Sequence, residues 1–277
     1  KTDAGGACCS GDIVIDPAIT SLADHAFDGC SNLTSVNMSL ITSVGTKAFY
    51  LCSSLTSVDV TLVTNVGSQA FDGCSSLITV DMPLVTSVGS SAFRVCTSLI
   101  SVSMPLVTSV GGYAFQSCSS LLSVNMPLVT SVGAFGFIYC SSLSSVTIHF
   151  VAVVETHAFH SCSSLTSVDM PLVTSVGSSA FHSCSSLISV NMSLVTTVEA
   201  NVFRSCSSLT SVHMPLVASV GDSAFQSGSS LTSFNAPGQL SLPISLTSIG
   251  DQAFFQCSAL RGNLVIPSSV TSVGALA

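Results

Sequence analysis

Apolar and polar residues alternate through this chain in a pattern that restarts every 22 positions. Around Leu77, Val80 and Met82 the order is L-x-x-V-x-M, with Asp81 between two apolar neighbours, the period-2 signature of a half-buried strand. Pro83 ends that strand, because proline has no N–H for a ladder. A second extended piece, Val85 to Val88, stops at Gly89. Ala92 and Phe93 then turn a corner, and Cys96 points back inward before the next strand. Cysteine recurs at Cys30, Cys52, Cys74, Cys96, Cys118, Cys140, Cys162, Cys184 and Cys206, and phenylalanine from Phe27 to Phe225, both on the 22-residue step.

Repetition at a fixed short period predicts a solenoid, since one unit cannot cover its own apolar face and the next must stack on it. The expected fold is a right-handed, parallel, β-rich solenoid of about eleven 22-residue rungs with little regular helix. Phe225 to Phe254 is 29 residues, so seven are inserted near 238–244, read as a loop bulging from one rung. Residues 1–12 read as an N-terminal cap carrying Cys8 and Cys9, and 13–277 as a single solenoid.

The unit L-x-x-V-x-M-P…V-T-S-V-G-x-x-A-F-x-x-C-S-S-L closely resembles the BspA-like (treponemal-type) leucine-rich repeat, from about Ile13 to Gly274. Most units are one residue shorter than the 23-residue family form, while Leu242–Gly250 and Ile266–Gly274 keep its spacing. The resemblance implies a curved parallel solenoid and a secreted or cell-surface protein used in attachment, with no catalytic residues to carry over.

Composition narrows the function. Hydrophobic residues make up 47% of the chain and charged residues only 6%, against about 25% in ordinary globular domains. Thirteen acids and five bases leave a net charge of -8. Lys1, Lys47, Arg94, Arg204 and Arg261 cannot assemble a basic stripe, which excludes nucleic acid and disfavours anionic lipid. Mean hydropathy is +0.72, yet Ser and Thr break every apolar run well short of the ~18 residues of a membrane span. The chain begins at Lys1 rather than Met, as a mature form or a trimmed piece would.

The sequence contains 12 cysteines. Their linear column argues against four converging zinc thiolates, and neighbouring side chains run parallel, so buried free thiols acting as small hydrophobes are expected. Gly228 in that column shows that a rung tolerates the loss of its thiol. Cys8 and Cys9 are disulfide candidates, to each other or to a nearby cysteine, fitting an oxidising compartment.

No nucleotide loop, zinc-protease helix or nucleophile elbow is present, so no catalytic residue, cofactor or metal is assigned and the chain reads as a non-enzyme. His160 and His182 hold the same place in adjacent rungs, near His157, where a weak metal site competes with an exposed variable column that also holds Asp28, Tyr50, Asp72, Arg94, Gln116 and Arg204. Tyr113, Phe135 and Tyr139 add diversity in these middle rungs. The strand column from Asn37 through Asp59 and Asp81 to Asn235 is polar and should face solvent, its acids at most weak cation ligands. Asn32, Asn37 and Asn191 begin glycosylation sequons.

Two rows remain. Leu40, Leu62, Leu84, Leu106, Leu128, Leu172, Leu194 and Leu216 follow the Pro/Ser position, either as an exposed ridge for association or drawn into the core by the shorter unit. Thr42, Thr64, Thr86, Thr108, Thr130, Thr174 and Thr196 form a hydroxyl row suited to an ordered surface such as ice or polysaccharide, or simply the ordinary repeat motif. No polar capping unit precedes Ala277, so end-to-end assembly is a further expectation. The reading is a secreted or cell-surface, non-enzymatic repeat protein for adhesion or structural assembly into a surface layer or filament, with itself or another protein as partner and glycans a further candidate. The alternatives are a monomeric receptor reading a protein or glycan on its variable columns, and an ice or ordered-surface binder.

Overall fold

The computed structural model describes residues 10–236, 239–240, 242–260 and 265–277, and among these every regular element is a short strand. Most rungs contribute a longer strand, such as Thr79–Asp81 or Ser101–Ser103, and a two-residue strand, such as Ser87–Val88 or Ser109–Val110. The short strands form sheets of eight and four, from Ser21–Leu22 to Ser272–Val273, so twelve turns of this kind stand among the described residues, in keeping with the expectation of about eleven repeats. Pairing between rungs is parallel and in register. Ser87 lies beside Ser109, and across the insertion Ser219 lies beside Ser248.

The inward columns are the ones the alternation marks. Leu77, Val80, Met82, Val85, Val88, Ala92, Phe93 and Cys96 are all buried, and the same positions are buried in rung after rung. Identical side chains therefore stack on themselves. The phenylalanines form a continuous pile from Phe27 to Phe254, with centroid spacings from 5.0 to 5.6 Å and near-parallel planes. At that spacing each ring covers its neighbours' faces, and offset stacking adds about 0.5–1.5 kcal/mol per pair beyond area burial.

The corner around Ala92 and Phe93 is tight because two residues per rung adopt left-handed backbone, Ser91 at φ 56° and Val95 at φ 58° in this rung. Glycine takes the second place at Gly29 and Gly73, but most rungs use residues with a Cβ. What holds them is the ladder: Ser91, Phe93 and Val95 donate their N–H groups to Gly112, Ala114 and Gln116 of the next rung. Strain of about 1 kcal/mol or more per residue persists where such bonds over-determine the backbone.

The insertion does more than bulge. Strand Ser233–Ala236 is followed by Gln239–Leu240, which turns back and pairs antiparallel with it as the edge strand of its sheet among the described residues. Phe234 packs edge-on against Phe225 and Phe254, with centroids 5.7 and 6.4 Å away. At the other end, Ser10–Val14 pairs parallel with Asn32–Asn37 through a bulge at Gly11/Asp12, so the sheet already begins within the segment read as a cap.

Candidate functional site

The leucine row is a ridge. In a typical rung Met82 and Val85 are both buried, and the Val85 N–H donates to the Met82 carbonyl at 3.3 Å, closing a turn with Pro83 and Leu84 at its tip. Proline presets φ for the first tip position. With both flanking residues pointing inward, Leu84 has nowhere to go but out. The eight leucines of the row are 40 to 49% exposed, which decides between the two readings of the sequence in favour of the exposed one. Phe150, 52% exposed, fills the rung between Leu128 and Leu172, so nine consecutive rungs carry the ridge. A search by residue type misses it, whereas the 22-residue step points straight to it.

The outer face of the long strands lies beside this ridge. Its polar column is exposed or half-buried throughout, and Ile78, Ile100, Leu122 and Ile188 form a second set of exposed apolar side chains just before the strand. The Asp59 carboxylate accepts the Thr61 hydroxyl at 2.9 Å, and Asp12 accepts the hydroxyls of Thr34 and Ser35. Asn32, Asn37 and Asn191 are all exposed. The threonine row is exposed as well, but hydroxyls are spent on the ladder: those of Thr42, Thr64, Thr108 and Thr130 donate to the carbonyl 22 residues earlier.

A second grouping sits at the opposite corner of the middle rungs. Tyr113, Phe135 and His157 stack at 4.7 and 4.8 Å. Beside them His160 meets His182 edge-on at 4.6 Å, His157 at 5.4 Å and Tyr139 at 5.7 Å. The structure thus brings all six together. The column holding His160 and His182 is not the open solvent face expected from its variability. Asp72 and Ile138 are buried in it and both histidines are half-buried, because these side chains lie against the inward-turning corner. Asp72 keeps an ion pair with Arg94 of the next rung at 3.0 Å, although burial outweighs that pair and raises its pKa.

Burial, and then the neighbouring imidazole of His157, lowers the pKa of His160. His182 falls to about 4, from burial first and then from His160, Arg204 and His157. The Nδ1 atoms of His157 and His160 are buried without a hydrogen-bond partner. Among the described residues no group of three or more His, Cys, Asp or Glu is arranged to hold a metal ion. What remains is an aromatic and imidazole patch with exposed edges at Tyr113 and Tyr139.

The cysteine column is internal. Cys52, Cys74, Cys96, Cys118, Cys140, Cys162, Cys184, Cys206 and Cys257 are free and buried. Each thiol also has a partner unforeseen in the sequence: Cys96 Sγ donates to the Phe71 carbonyl of the preceding rung at 3.2 Å, and the others repeat that bond. Burial pushes the thiols up, to about 12 for Cys206. Cys30 is disulfide-bonded. Cys8 and Cys9 lie outside the described residues.

A family model described as the BspA type leucine rich repeat region matches residues 6–122, 130–242 and 238–277. No curated protein is a significant match. Among solved structures, a leucine-rich repeat protein from Bacteroides ovatus is 22% identical with a TM-score of 0.69, over 95% of this chain and 82% of that one. A leucine-rich repeat protein from Eubacterium ventriosum is 23% identical with a TM-score of 0.57, over 95% of this chain and 80% of that one. At these identities the likeness concerns the fold, a parallel leucine-rich-repeat solenoid.

Proposed function

This chain belongs to the BspA-type leucine-rich repeat family, and on that premise we propose that it is a non-enzymatic, cell-surface or secreted scaffold that makes adhesive or assembly contacts along one extended face of its solenoid. The observation that carries the reading is the nine-rung ridge from Leu40 to Leu216, with Phe150 in its gap. Soluble monomers seldom leave so long an apolar row in water. Because every rung offers the same groups, weak contacts add along the face through effective concentration. No helix among the described residues is long and apolar enough to cross a membrane.

A second reading rests on a different observation, the patch built by Tyr113, Phe135, Tyr139, His157, His160 and His182, which would serve a receptor for a protein or glycan. The two are separable by experiment. The chain is displayed on a non-adherent bacterium, and attachment to protein-coated and to glycan-coated surfaces is measured. Leu84→Ser, Leu106→Ser and Leu128→Ser together should abolish attachment while His160→Gln and Tyr139→Ala leave it intact. Attachment lost through the patch and kept without the ridge would replace the first reading with the second.

A further inference from the structure

We infer that the ridge is a homodimer interface, in which a second copy of this chain lies antiparallel along it with the two-fold axis at Leu128. The inference rests on the reading of the ridge as a contact face and names its partner.

The first argument is area. At about 70–80 Å² of exposed side chain apiece, the nine ridge residues present roughly 600–700 Å², beyond the ~300–600 Å² of the largest apolar patch on a typical monomer. The flanking Pro and Thr columns bring the covered surface near the ~800 Å² per partner that stable complexes bury.

The second argument is pitch. The ridge is a row of knobs repeating with the rungs, whose spacing is reported by the 5.0–5.6 Å phenylalanine pile. Only a row of equal pitch can meet every member of this ridge along its whole length, and a second copy of this chain supplies one. The ridge spans Leu40 to Leu216, and Leu128 is its fifth member from either end. A two-fold axis there sets Leu40 against Leu216 of the other copy, Leu84 against Leu172 and Leu128 against itself, so all nine residues are used. Closed two-fold pairing is also the commonest way for identical chains to cover one patch.

The third argument is charge. The position before the ridge holds Ser39, Thr61, Pro83, Pro105, Pro127, His149, Pro171, Ser193 and Pro215, and the position two after it holds only Thr or Ala. No carboxylate, lysine or arginine stands in these columns; the nearest acids, Asp59, Asp81 and Asp169, stand three residues before the ridge on the adjoining strand face, so a chain with net charge -8 keeps its charges off the ridge itself.

The test uses the intact chain in sedimentation velocity and native cross-linking. The wild type should reversibly form a dimer below roughly 50 µM. Leu106→Glu, Leu128→Glu and Phe150→Glu together should raise the dissociation constant by about 100-fold or more, since they place charge at the centre of the interface. These positions are half-exposed, so circular dichroism and the unfolding midpoint should stay at wild-type values; Leu128→Ser serves if the triple variant does not fold. With a short bis-maleimide, Leu128→Cys should cross-link to itself, while Leu40→Cys should cross-link only when mixed with Leu216→Cys. A wild-type chain that stays monomeric at that concentration overturns the inference, as does a dimer indifferent to the ridge variants or self-cross-linking by Leu40→Cys. If the monomeric chain still loses attachment with the ridge substitutions, the proposed function stands and only the self-pairing falls.

Discussion

Truncating one ring of the phenylalanine pile should cost an amount set by how many neighbours that ring has. Phe93 is fully buried, with Phe71 on one face at 5.2 Å and Phe115 on the other at 5.3 Å. Phe93→Ala removes the burial of a large side chain, two stacking contacts of about 0.5–1.5 kcal/mol each, and leaves a void that flanking rungs cannot fill without breaking register. The expected loss is about 4–5 kcal/mol. Phe27 is only partly buried and stacks on Phe49 alone among the described phenylalanines, at 5.2 Å. Phe27→Ala should therefore cost about 2 kcal/mol. The assay is urea unfolding of both variants, with hydrogen exchange resolved by rung. In a molecule whose rungs touch only their neighbours, protection should fall most around Phe71 and Phe115 for the central variant. Equal costs at the two sites, or a loss of protection spread evenly along the chain, would refute the nearest-neighbour picture of this core.

Three other outcomes follow from the same structure. Val95 is a β-branched residue at φ 58°, so Val95→Asn should relieve backbone strain and stabilise by about 1 kcal/mol, seen as a rise of roughly 2 °C in the unfolding midpoint; a fall would mean that its side-chain packing outweighs the strain. The nine free thiols among the described residues should resist iodoacetamide at about pH 8 in the native chain and react fully in urea, because burial raises their pKa and keeps them protonated; fast native labelling of Cys118 or Cys162 would contradict the ladder. For His182 the folded-state pKa of about 4 lies below the ordinary 6.5, so the unfolded chain binds the proton more tightly. The stability tied to its neutral form is complete above pH 6.5 and is lost as the pH falls toward 4, and His182→Gln should flatten that slope in denaturation measured from pH 7 to 4.

Much of this molecule was legible in one dimension. When a repeat has a constant length and its strands pair in register, the residue beside any position is the one a repeat away, so the buried columns, the phenylalanine pile and the burial of the free cysteines all follow from spacing. The same logic placed His160 beside His182. It did not say which way a corner residue points. Whether Leu84 lies inside or outside depends on the turn between Met82 and Val85, and only the closed turn, with both neighbours anchored in the core, put the ridge in solvent. The half-burial of His160 and His182, the thiol bonds to the preceding rung's carbonyls and the antiparallel return of Gln239–Leu240 were likewise invisible, since each depends on how a chain segment turns in space. Periodicity by itself fixes which residues are neighbours along the solenoid axis. The tertiary structure alone decides what each rung does around its circumference, because turn geometry and the hydrogen bonds that hold it carry no period of their own.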